Sequence, residues 1–422
     1  MLTKFTAAAF AVVLAAGSAV ASVTFTPLGV PAPGDPQTPP FSDAYGVSNS
    51  GVVVGSMFVP GQGFLSFRWT SETGLVQING LTAESGIFAR AVTPDGGTIV
   101  GENTSPNVGF RKNGDGPVED LGFPNPDVYD ASSLSDVSDD GRVGAGLLSR
   151  IEDGTFRAAR WSEVDGWQDL GVLGSDIESA ANAISADGSI VAGYSVGNAF
   201  TAFSWTASGG MVELAHPIAA GLPSAAIAMS ADGQIIVGQA SNAANDSQPA
   251  VWTGGVPSLL PIIPVYNGGA AFGVSGDGQT VGGVIFDSGS GVEVAAFWVS
   301  GVPFELEPYL ESQGIDLTGW FLSAITEVSQ DGRYLVGRGI NPSGNLESFI
   351  VQLAGSGVGC EYDFNQDENV DLTDAQQMAQ VFVGLISPEA GWLDGDLNGD
   401  ENADLTDAQI LAAYVVTGNC AI

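Results

Sequence analysis

A short phrase of sequence recurs along most of this chain at nearly constant intervals. In its clearest copy, residues 180–194, two small-sided and apolar runs are separated by the pair Asp187-Gly188. Such a pair is typical of a β-hairpin turn, because Gly adopts φ > 0 freely and Asp bonds its own backbone. Two further short strands are predicted at 202–206 and 211–214, so each copy predicts four strands in a row.

The spacing of the copies leaves very few possible folds. Their turn glycines lie 45, 45, 47, 45, 45 and 54 residues apart. They are Gly51, Gly96, Gly141, Gly188, Gly233, Gly278 and Gly332. A period in the mid-forties with four strands per unit is typical of a β-propeller. We therefore predict an all-β fold, a seven-bladed propeller built from repeats of about 45 residues.

The seventh copy lacks a fourth strand, and the beginning of the chain supplies a candidate. After its third strand, 347–353, the sequence continues as Ala-Gly-Ser-Gly-Val-Gly, in which no strand pattern is present. Residues 23–29 are similar to the ends of the fourth strands at 118–122 and 167–171. We expect this N-terminal strand to complete the last blade, which would remove an exposed strand edge.

The first residues have the pattern of a targeting segment. Lys4, the apolar run 5–16 and the small residues at 19–21 are typical of a secretory signal peptide, predicted to span 1–21. The apolar run is too short to cross a bilayer, which makes a membrane anchor the weaker alternative. The predicted protein is therefore exported by a bacterial-type route and is secreted, extracellular or associated with the cell surface.

Acidic residues greatly outnumber basic ones. The chain has 48 Asp and Glu against 11 Lys and Arg, a formal net charge of −37. Such a charge repels nucleic acid and anionic lipid, so we expect neither nucleic-acid binding nor membrane insertion. With 59 glycines and many aliphatic residues, the composition is that of a β-protein with many turns rather than a disordered acidic chain.

Most third strands carry aromatic residues at one place, as in Phe67-Arg-Trp69 and Phe203-Ser-Trp205. Aromatic residues that recur in this way are most simply core between blades, with a ligand role as the alternative. Copies with Ser-x-Asp-Gly-x-x-Val-Gly followed by Ala-Phe-x-Trp resemble the HAF repeats of secreted bacterial proteins, over residues 40–353. The resemblance implies an extracellular, propeller-like array and little about activity.

The composition changes sharply after the repeats. Residues 355–359 are a Gly-Ser-rich linker, which separates the propeller, 22–354, from a module at 360–422. The module has 13 acidic residues and no Lys or Arg. Two near-identical loops, 363–374 and 396–407, carry oxygen-bearing side chains at alternate positions, which is the spacing of a calcium-binding loop.

The chemistry of these loops favours a divalent cation. Ca²⁺ takes about six to eight hard oxygen ligands, which one tight loop supplies only from alternate residues. Without a cation, the gathered carboxylates would repel one another strongly, and a pair of metal-free Asx turns is the alternative. We predict two Ca²⁺ ions, one in each loop. The ligands are Asp363, Asn365, Asp367, Asn369 (through its carbonyl), Asp371 and Asp374, then Asp396, Asn398, Asp400, Asn402 (through its carbonyl), Asp404 and Asp407.

Each loop leads into one helical pattern that opens with Thr-Asp-Ala-Gln, a capping sequence. A calcium loop followed by a single helix, twice, with the loops 33 residues apart, resembles a type I dockerin rather than two complete EF-hands. The resemblance implies docking to a cohesin-like domain, with partner contacts at Leu372, Thr373, Leu405 and Thr406. Glutamate stands at position 6 of both loops, where Gly is usual, which leaves the strength of calcium binding open. The partner-reading positions carry Leu-Thr in place of the common Ser-Thr, which leaves the cohesin specificity open.

The only two cysteines, Cys360 and Cys420, bracket this module. In an exported chain such a pair predicts a disulfide, and two free thiols are the weaker alternative. The one histidine, His216, lies in a predicted loop, and no catalytic triad, zinc cluster or phosphate-binding loop is evident in the sequence. We therefore assign no catalytic residue.

Two functions fit these features. The first is a secreted, non-catalytic binding or surface protein, whose propeller presents a ligand-binding face and whose calcium-dependent tail docks it to a cohesin-type partner. The alternative is a polysaccharide-degrading enzyme, a glycoside hydrolase or lyase. A hydrolase of that kind needs a pair of inward carboxyl groups about 5–9 Å apart.

The two ends of the predicted blades differ in their links. Links from strand two to three, and from strand four to the next blade, are long and variable and define the long-link face. The Asp-Gly hairpins and the third-to-fourth links are short and uniform and define the turn face. Because function concentrates in variable loops held by rigid strands, we expect a glycan or protein ligand on the long-link face, with unconstrained drift as the alternative. Its candidate ligand-binding residues are Tyr129, Tyr266, Tyr309 and Trp320.

The calcium loops lead to a direct prediction. The chain without its signal peptide should bind two Ca²⁺, counted by isothermal titration calorimetry. Asp363→Ala with Asp374→Ala should remove one ion and leave the other, because each loop carries its own ligands. Asp130→Ala, outside both loops, is the control and should still bind two ions. Absence of calcium binding in the wild type would refute the prediction.

Overall fold

The computed structural model describes residues 23–31, 39–82, 86–244 and 246–353. The strands of this part form seven four-stranded antiparallel sheets, which confirms the predicted seven-bladed, all-β propeller. The predicted signal peptide, the linker, both calcium loops and the cysteine pair lie outside the described residues.

Each blade has its strands in chain order from the axis outwards, except that the last blade takes its outer strand from the beginning of the chain. That strand is β1 (Thr24–Pro27). Blade 1 comprises β2 (Phe41–Val47), β3 (Val53–Val59), β4 (Gly63–Thr70) and β5 (Gly74–Ile78). Blade 2 comprises β6 (Ile87–Val92), β7 (Thr98–Thr104), β8 (Asn107–Asn113) and β9 (Val118–Asp120). Blade 3 comprises β10 (Tyr129–Val137), β11 (Val143–Arg150), β12 (Phe156–Ser162) and β13 (Gly166–Gly171).

The second half of the ring repeats this order. Blade 4 comprises β14 (Glu178–Ile184), β15 (Ile190–Val196), β16 (Phe200–Thr206) and β17 (Gly210–Glu213). Blade 5 comprises β18 (Ser224–Met229), β19 (Ile235–Ser241), β20 (Ser247–Thr253) and β21 (Val256–Leu259). Blade 6 comprises β22 (Gly268–Val274), β23 (Thr280–Asp287), β24 (Val292–Val299) and β25 (Val302–Glu305). After the helix α1 (Leu306–Ser312), blade 7 comprises β26 (Phe321–Val328), β27 (Tyr334–Ile340) and β28 (Leu346–Gln352), with β1 outside.

The repeated turn is held by side-chain hydrogen bonds. In blade 4 the Ser185 hydroxyl donates to Asp187 Oδ1 (2.8 Å), which also accepts the N–H of Ser189 (2.9 Å). The N–H of Ile190 donates back to Ser185 Oγ (3.0 Å), and Gly188 adopts φ of 70°. The same bonds recur in blades 3, 5, 6 and 7. The Ser-x-Asp-Gly motif therefore has a structural role in these turns.

A second glycine lets the inner two strands approach closely. A Cβ at Gly193 in β15 would lie only 2.0 Å from the carbonyl oxygen of Ala180 in β14. Equivalent clashes of 1.9–2.2 Å would occur in the other blades. The glycines concerned are Gly55, Gly101, Gly146, Gly238, Gly283 and Gly337. The glycine of the repeated Val/Ala-Gly pair is therefore required because no side chain fits there.

Opposite this glycine, the innermost strand of every blade bulges by one residue. In blade 4 the register passes from Ala181↔Gly193 to Ala183↔Ala192, so no residue of β15 lies opposite Asn182. The same shift occurs in all seven blades. The bulged residues are Tyr45, Arg90, Ser135, Asn182, Ile227, Phe272 and Thr326. A bulge changes the direction of its side chain, so these seven residues do not follow the alternation of side chains along a regular strand.

The core consists of clusters between neighbouring blades. The third-strand aromatics predicted to be core are buried, with Trp252, Trp298, Phe67, Phe110, Phe203 and Phe349 among the largest fully buried side chains. The indole N–H of Trp252 donates to the carbonyl of Ala215 at 2.8 Å, so its polar atom is satisfied as well. Within the described ranges, no helix is both long and apolar enough to cross a membrane.

The ring is closed by pairing between the beginning and the end of the repeats. Thr24 lies opposite Gln352, and Pro27 lies opposite Phe349, in an antiparallel pair of β1 and β28. The Phe25 ring packs against Phe349 (5.4 Å between centroids) and edge-on against Trp320 (5.2 Å). Strand β1 therefore covers both the edge of β28 and an apolar cluster of blade 7.

This closure predicts the effect of a single truncation. Phe25→Ala should lower the free energy of unfolding by about 2 kcal/mol, less than the roughly 3–5 kcal/mol of a core phenylalanine, because its ring is only partly buried. Thermal melting of the purified chain measures the change. Thr24→Ala, an exposed neighbour in the same strand, is the control and should melt close to the wild type. A Phe25→Ala melt that matches the wild type would show that β1 does not hold the ring closed.

Candidate functional site

The bulged residues surround a channel on the propeller axis. A cavity of about 150 Å³ is lined by the innermost strands of all seven blades. Five bulged residues line it directly, and they are Tyr45, Arg90, Ser135, Asn182 and Ile227. The chemical variety of the inner wall comes from the bulge and from the position after it, which carries Asp136 in blade 3 and Glu327 in blade 7.

Two carboxyl groups face the channel next to the bulges. Asp136 accepts the N–H of Val137 (2.7 Å) and, across the blade boundary, that of Ile184 (2.9 Å). Glu327 accepts the N–H of Val328 at 2.8 Å. Burial raises the pKa of Asp136 to about 6. Burial, with a contribution from the charge of Asp136, raises the pKa of Glu327 to about 8, so Glu327 is mostly protonated at neutral pH.

The turn face closes the channel. The Gln330 amide of blade 7 donates to both carboxylate oxygens of Asp139 in blade 3, at 2.8 and 2.9 Å. Main-chain N–H groups at this level also donate to the next blade at 2.7–3.0 Å. The donors are Asn49, Asp139, Ala186, Ala231 and Gly276. A cavity of about 150 Å³ is smaller than the roughly 300–1,000 Å³ of a typical ligand pocket, so the channel has room for a few water molecules rather than a sugar chain.

At the opposite end, charged pairs surround the channel mouth. The Arg90 guanidinium lies 5.3 Å from the centre of the Tyr45 ring and pairs with Glu102 at 2.9 Å. Asp43 pairs with Arg338 of blade 7, also at 2.9 Å. Burial raises the pKa of the Asp43 carboxyl, although the Arg338 charge opposes the shift. Arg90 and Arg338 are therefore each matched by a carboxylate.

Four phenylalanines cluster beside this mouth on the long-link face. They are Phe41, Phe58, Phe64 and Phe88, from the ends of four strands of blades 1 and 2. Phe64 lies 5.7 Å from Phe41, 5.4 Å from Phe58 and 6.2 Å from Phe88, between ring centroids. The Phe88 ring is covered in turn by Arg90, at 5.6 Å. The Phe64 side chain is nevertheless 52% exposed, so the cluster presents a supported aromatic ring to solvent.

A cleft opens next to Phe64 between blades 1 and 2. Its volume is about 690 Å³, within the range of ligand pockets. Besides Phe64 and Leu81, its wall includes the amides of Gln62, Gln77 and Asn79. No charged side chain lines this cleft among the described residues.

The four residues predicted for the long-link face lie on that side but at separate places. The Tyr129 hydroxyl of blade 3 donates to Asp169 at 2.6 Å, and its pKa is raised to about 12 by burial and by that carboxylate. Tyr266 lies before blade 6, where burial and the Glu305 charge raise its pKa. Tyr129 and Tyr266 are thus partnered side chains of different blades.

The other two lie in the link from blade 6 to blade 7 and pack against the core. Tyr309, on α1, contacts the ring of Phe297 at 5.1 Å. Trp320 contacts Phe25, as described above. The four predicted residues therefore do not form one cluster, and their role in ligand binding stays a prediction. The phenylalanine cluster was not predicted from the sequence. Its signal was the presence of Phe58 and Phe64 on either side of the link from strand two to three in blade 1.

Comparison with known proteins bears mainly on the C-terminal segment. Residues 361–416 match the family model of the dockerin type I domain. The matched dockerin segment contains both predicted calcium loops, and dockerin type I domains bind calcium and dock to cohesins. No curated protein matches the chain.

Solved structures with a similar fold are distant. An oligogalacturonate lyase from Vibrio parahaemolyticus has 11% identity and a TM-score of 0.46, over 79% of this chain and 97% of the lyase. Virginiamycin B lyase from Staphylococcus aureus has 12% identity and a TM-score of 0.44, over 79% and 100%. TolB from Acinetobacter baumannii has 13% identity and a TM-score of 0.40, over 74% and 64%. Scores at this level carry no argument about function, and the fold rests on the observed sheet topology.

The channel carboxyls predict a pH dependence of stability. The pKa of Glu327 rises from 4.5 to about 8 on folding, so between these values the folded state holds a proton that the unfolded state has lost. The contribution of Glu327 to stability is therefore greatest below pH 4.5 and falls as pH rises towards 8. Glu327→Gln stays uncharged and should reduce this fall, so that the variant melts at a higher temperature than the wild type near pH 8.

Melting temperatures between pH 4 and 9, measured in EDTA, test this expectation. Asp130→Asn removes one charge from an exposed position and should keep the wild-type profile. Parallel profiles for Glu327→Gln and the wild type across the whole range would contradict the shifted pKa.

Proposed function

We propose that this chain is a secreted, non-catalytic binding protein of the HAF-repeat type, attached to a cohesin-bearing partner by its dockerin. The observation that carries the proposal is the dockerin match over 361–416, which includes both calcium loops. The propeller then acts as the ligand-binding part, with its variable long-link face as the binding surface. The predicted signal peptide at 1–21 supplies export.

Calcium organises the dockerin in this proposal. Each loop offers a charge-rich set of oxygen donors, as in Asp363, Asp367 and Asp371 at alternate positions of the first loop. This hard-oxygen set fits Ca²⁺ and leaves its carboxylates uncompensated without a cation. Bound Ca²⁺ would fix the loops and so the helices that carry the predicted cohesin contacts.

The described strands favour an arrangement in which docking leaves the ligand face free. Strand β28 runs from the long-link face to the turn face and ends at Gln352, so the chain continues towards the linker from the turn face. Strand β1 begins at the same end, since Thr24 pairs with Gln352. The tether therefore leaves the propeller on the side opposite the variable links.

A polysaccharide-cleaving enzyme is the second candidate. The observation in its favour is the pair Asp136 and Glu327, whose pKa values of about 6 and about 8 suit a base and an acid. Both carboxyls, however, lie in a channel of about 150 Å³ that Gln330 and Asp139 close at one end. This confinement makes binding the better-supported function.

The docking function predicts calcium-dependent capture. The chain should bind immobilised type I cohesin domains in Ca²⁺ and be released by EDTA, because the loops must be ordered by the ion. Replacing Leu372, Thr373, Leu405 and Thr406 together by Ala should abolish capture while calorimetry still counts two Ca²⁺. Surface plasmon resonance against a cohesin panel gives the measurement.

Two controls separate docking from other contacts. Residues 22–354, without the dockerin, should not be captured. Capture that is equally strong in EDTA, or that persists in the fourfold variant, would contradict the proposed docking surface. Release of reducing ends from polysaccharides by the wild type, lost in Glu327→Gln, would favour the enzyme instead.

A further inference from the structure

The cleft between blades 1 and 2 combines an exposed aromatic ring with amide groups. Phe64 forms one part of its wall, and Gln62, Gln77 and Asn79 contribute exposed side-chain amides. Among the described residues, no hydrogen bond occupies these three amides. An aromatic face beside exposed amide donors and acceptors can stack on a sugar ring and bond its hydroxyl groups at the same time.

The ring of Phe64 is held in place by its neighbours. Phe41, Phe58 and Phe88 contact it from three sides, while its own side chain stays 52% exposed. A ring fixed in this way loses little conformational entropy when a ligand stacks on it. Phe200 holds the equivalent place in blade 4 and is similarly exposed, at 49%, but among the described aromatic rings it contacts that of Tyr194 alone.

The charges around the cleft specify the class of ligand. The described residues of the wall include no charged side chain, in a chain with 48 acidic residues. The nearby Arg90 is paired with Glu102. Arg68 and Lys112 line the adjacent cleft, which shares residues 77–81 with this one, and do not line the cleft beside Phe64. An acidic sugar would also be repelled by the net charge of −37.

From these observations we propose that this cleft binds a neutral glycan, with Phe64 stacking on a sugar ring and Gln62, Gln77 and Asn79 bonding its hydroxyl groups. The proposal rests on the binding function proposed above and assigns it a site and a ligand class. The cleft volume of about 690 Å³ accommodates a short oligosaccharide segment.

Titration with neutral hexasaccharides tests the site. Cellohexaose, xylohexaose and mannohexaose are titrated calorimetrically into the chain without its signal peptide, with oligogalacturonate as the acidic probe. At least one neutral probe should bind, and oligogalacturonate should not. Phe64→Ala should weaken binding about tenfold, the loss expected for a central aromatic anchor. Gln77→Ala should weaken it about threefold to tenfold, as for one lost hydrogen bond.

Phe200→Ala is the matched control and should keep the affinity within about twofold of the wild type, because it lies outside the cleft. Thermal melting verifies that each variant is folded, and the exposed Gln77 provides a second variant if Phe64→Ala is unstable. Tighter binding of oligogalacturonate than of the neutral probes, or no binding of any neutral probe, would overturn the ligand class.

The site and the general function fail in different ways. Neutral glycan binding that survives Phe64→Ala and Gln77→Ala but is lost in Tyr266→Ala or Trp320→Ala would overturn the cleft and retain the long-link face. Cohesin capture is measured on the same preparations. Its loss with intact glycan binding would contradict the docking part of the proposed function and leave the cleft assignment standing.

Discussion

The fold depends on the close approach of the two inner strands in every blade. A glycine such as Gly193 lets β15 lie against the carbonyl of Ala180, where a Cβ would be 2.0 Å away. The inner strand bulges beside this contact, and five of the seven bulged residues line the channel on the axis. One steric requirement, repeated seven times, therefore shapes both the inner wall and the channel.

Closure of the ring places the two ends of the propeller side by side. Because β1 pairs with β28, Thr24 and Gln352 are neighbours at the turn face. The turn face also carries the uniform hairpins and the Gln330–Asp139 contact across the axis. The long-link face is thus left for variation, and it is there that the exposed ring of Phe64 and its cleft lie.

The aromatic residues of the long-link face have two different roles, packing in the core and exposure to solvent. Tyr309 packs α1 against Phe297 of blade 6, and Trp320 packs against Phe25 of β1 in blade 7. Phe64, by contrast, is packed against three other phenylalanine rings and is half exposed to solvent. Composition alone cannot separate these cases, because an aromatic side chain in a link is equally suited to packing and to ligand contact.

The number of blades, the hairpins and the strand that closes the ring could all be predicted from the sequence. Each depends on local chemistry or on a simple period, as in the Ser185–Asp187 turn, which is complete within a few residues. The folded ring was needed to show that Asp136 and Glu327 share one channel. It was also needed to show that four phenylalanines meet, namely Phe41, Phe58, Phe64 and Phe88. These groups come from different strands and blades. Their distances depend on which strand ends the ring brings together, and no local pattern encodes that.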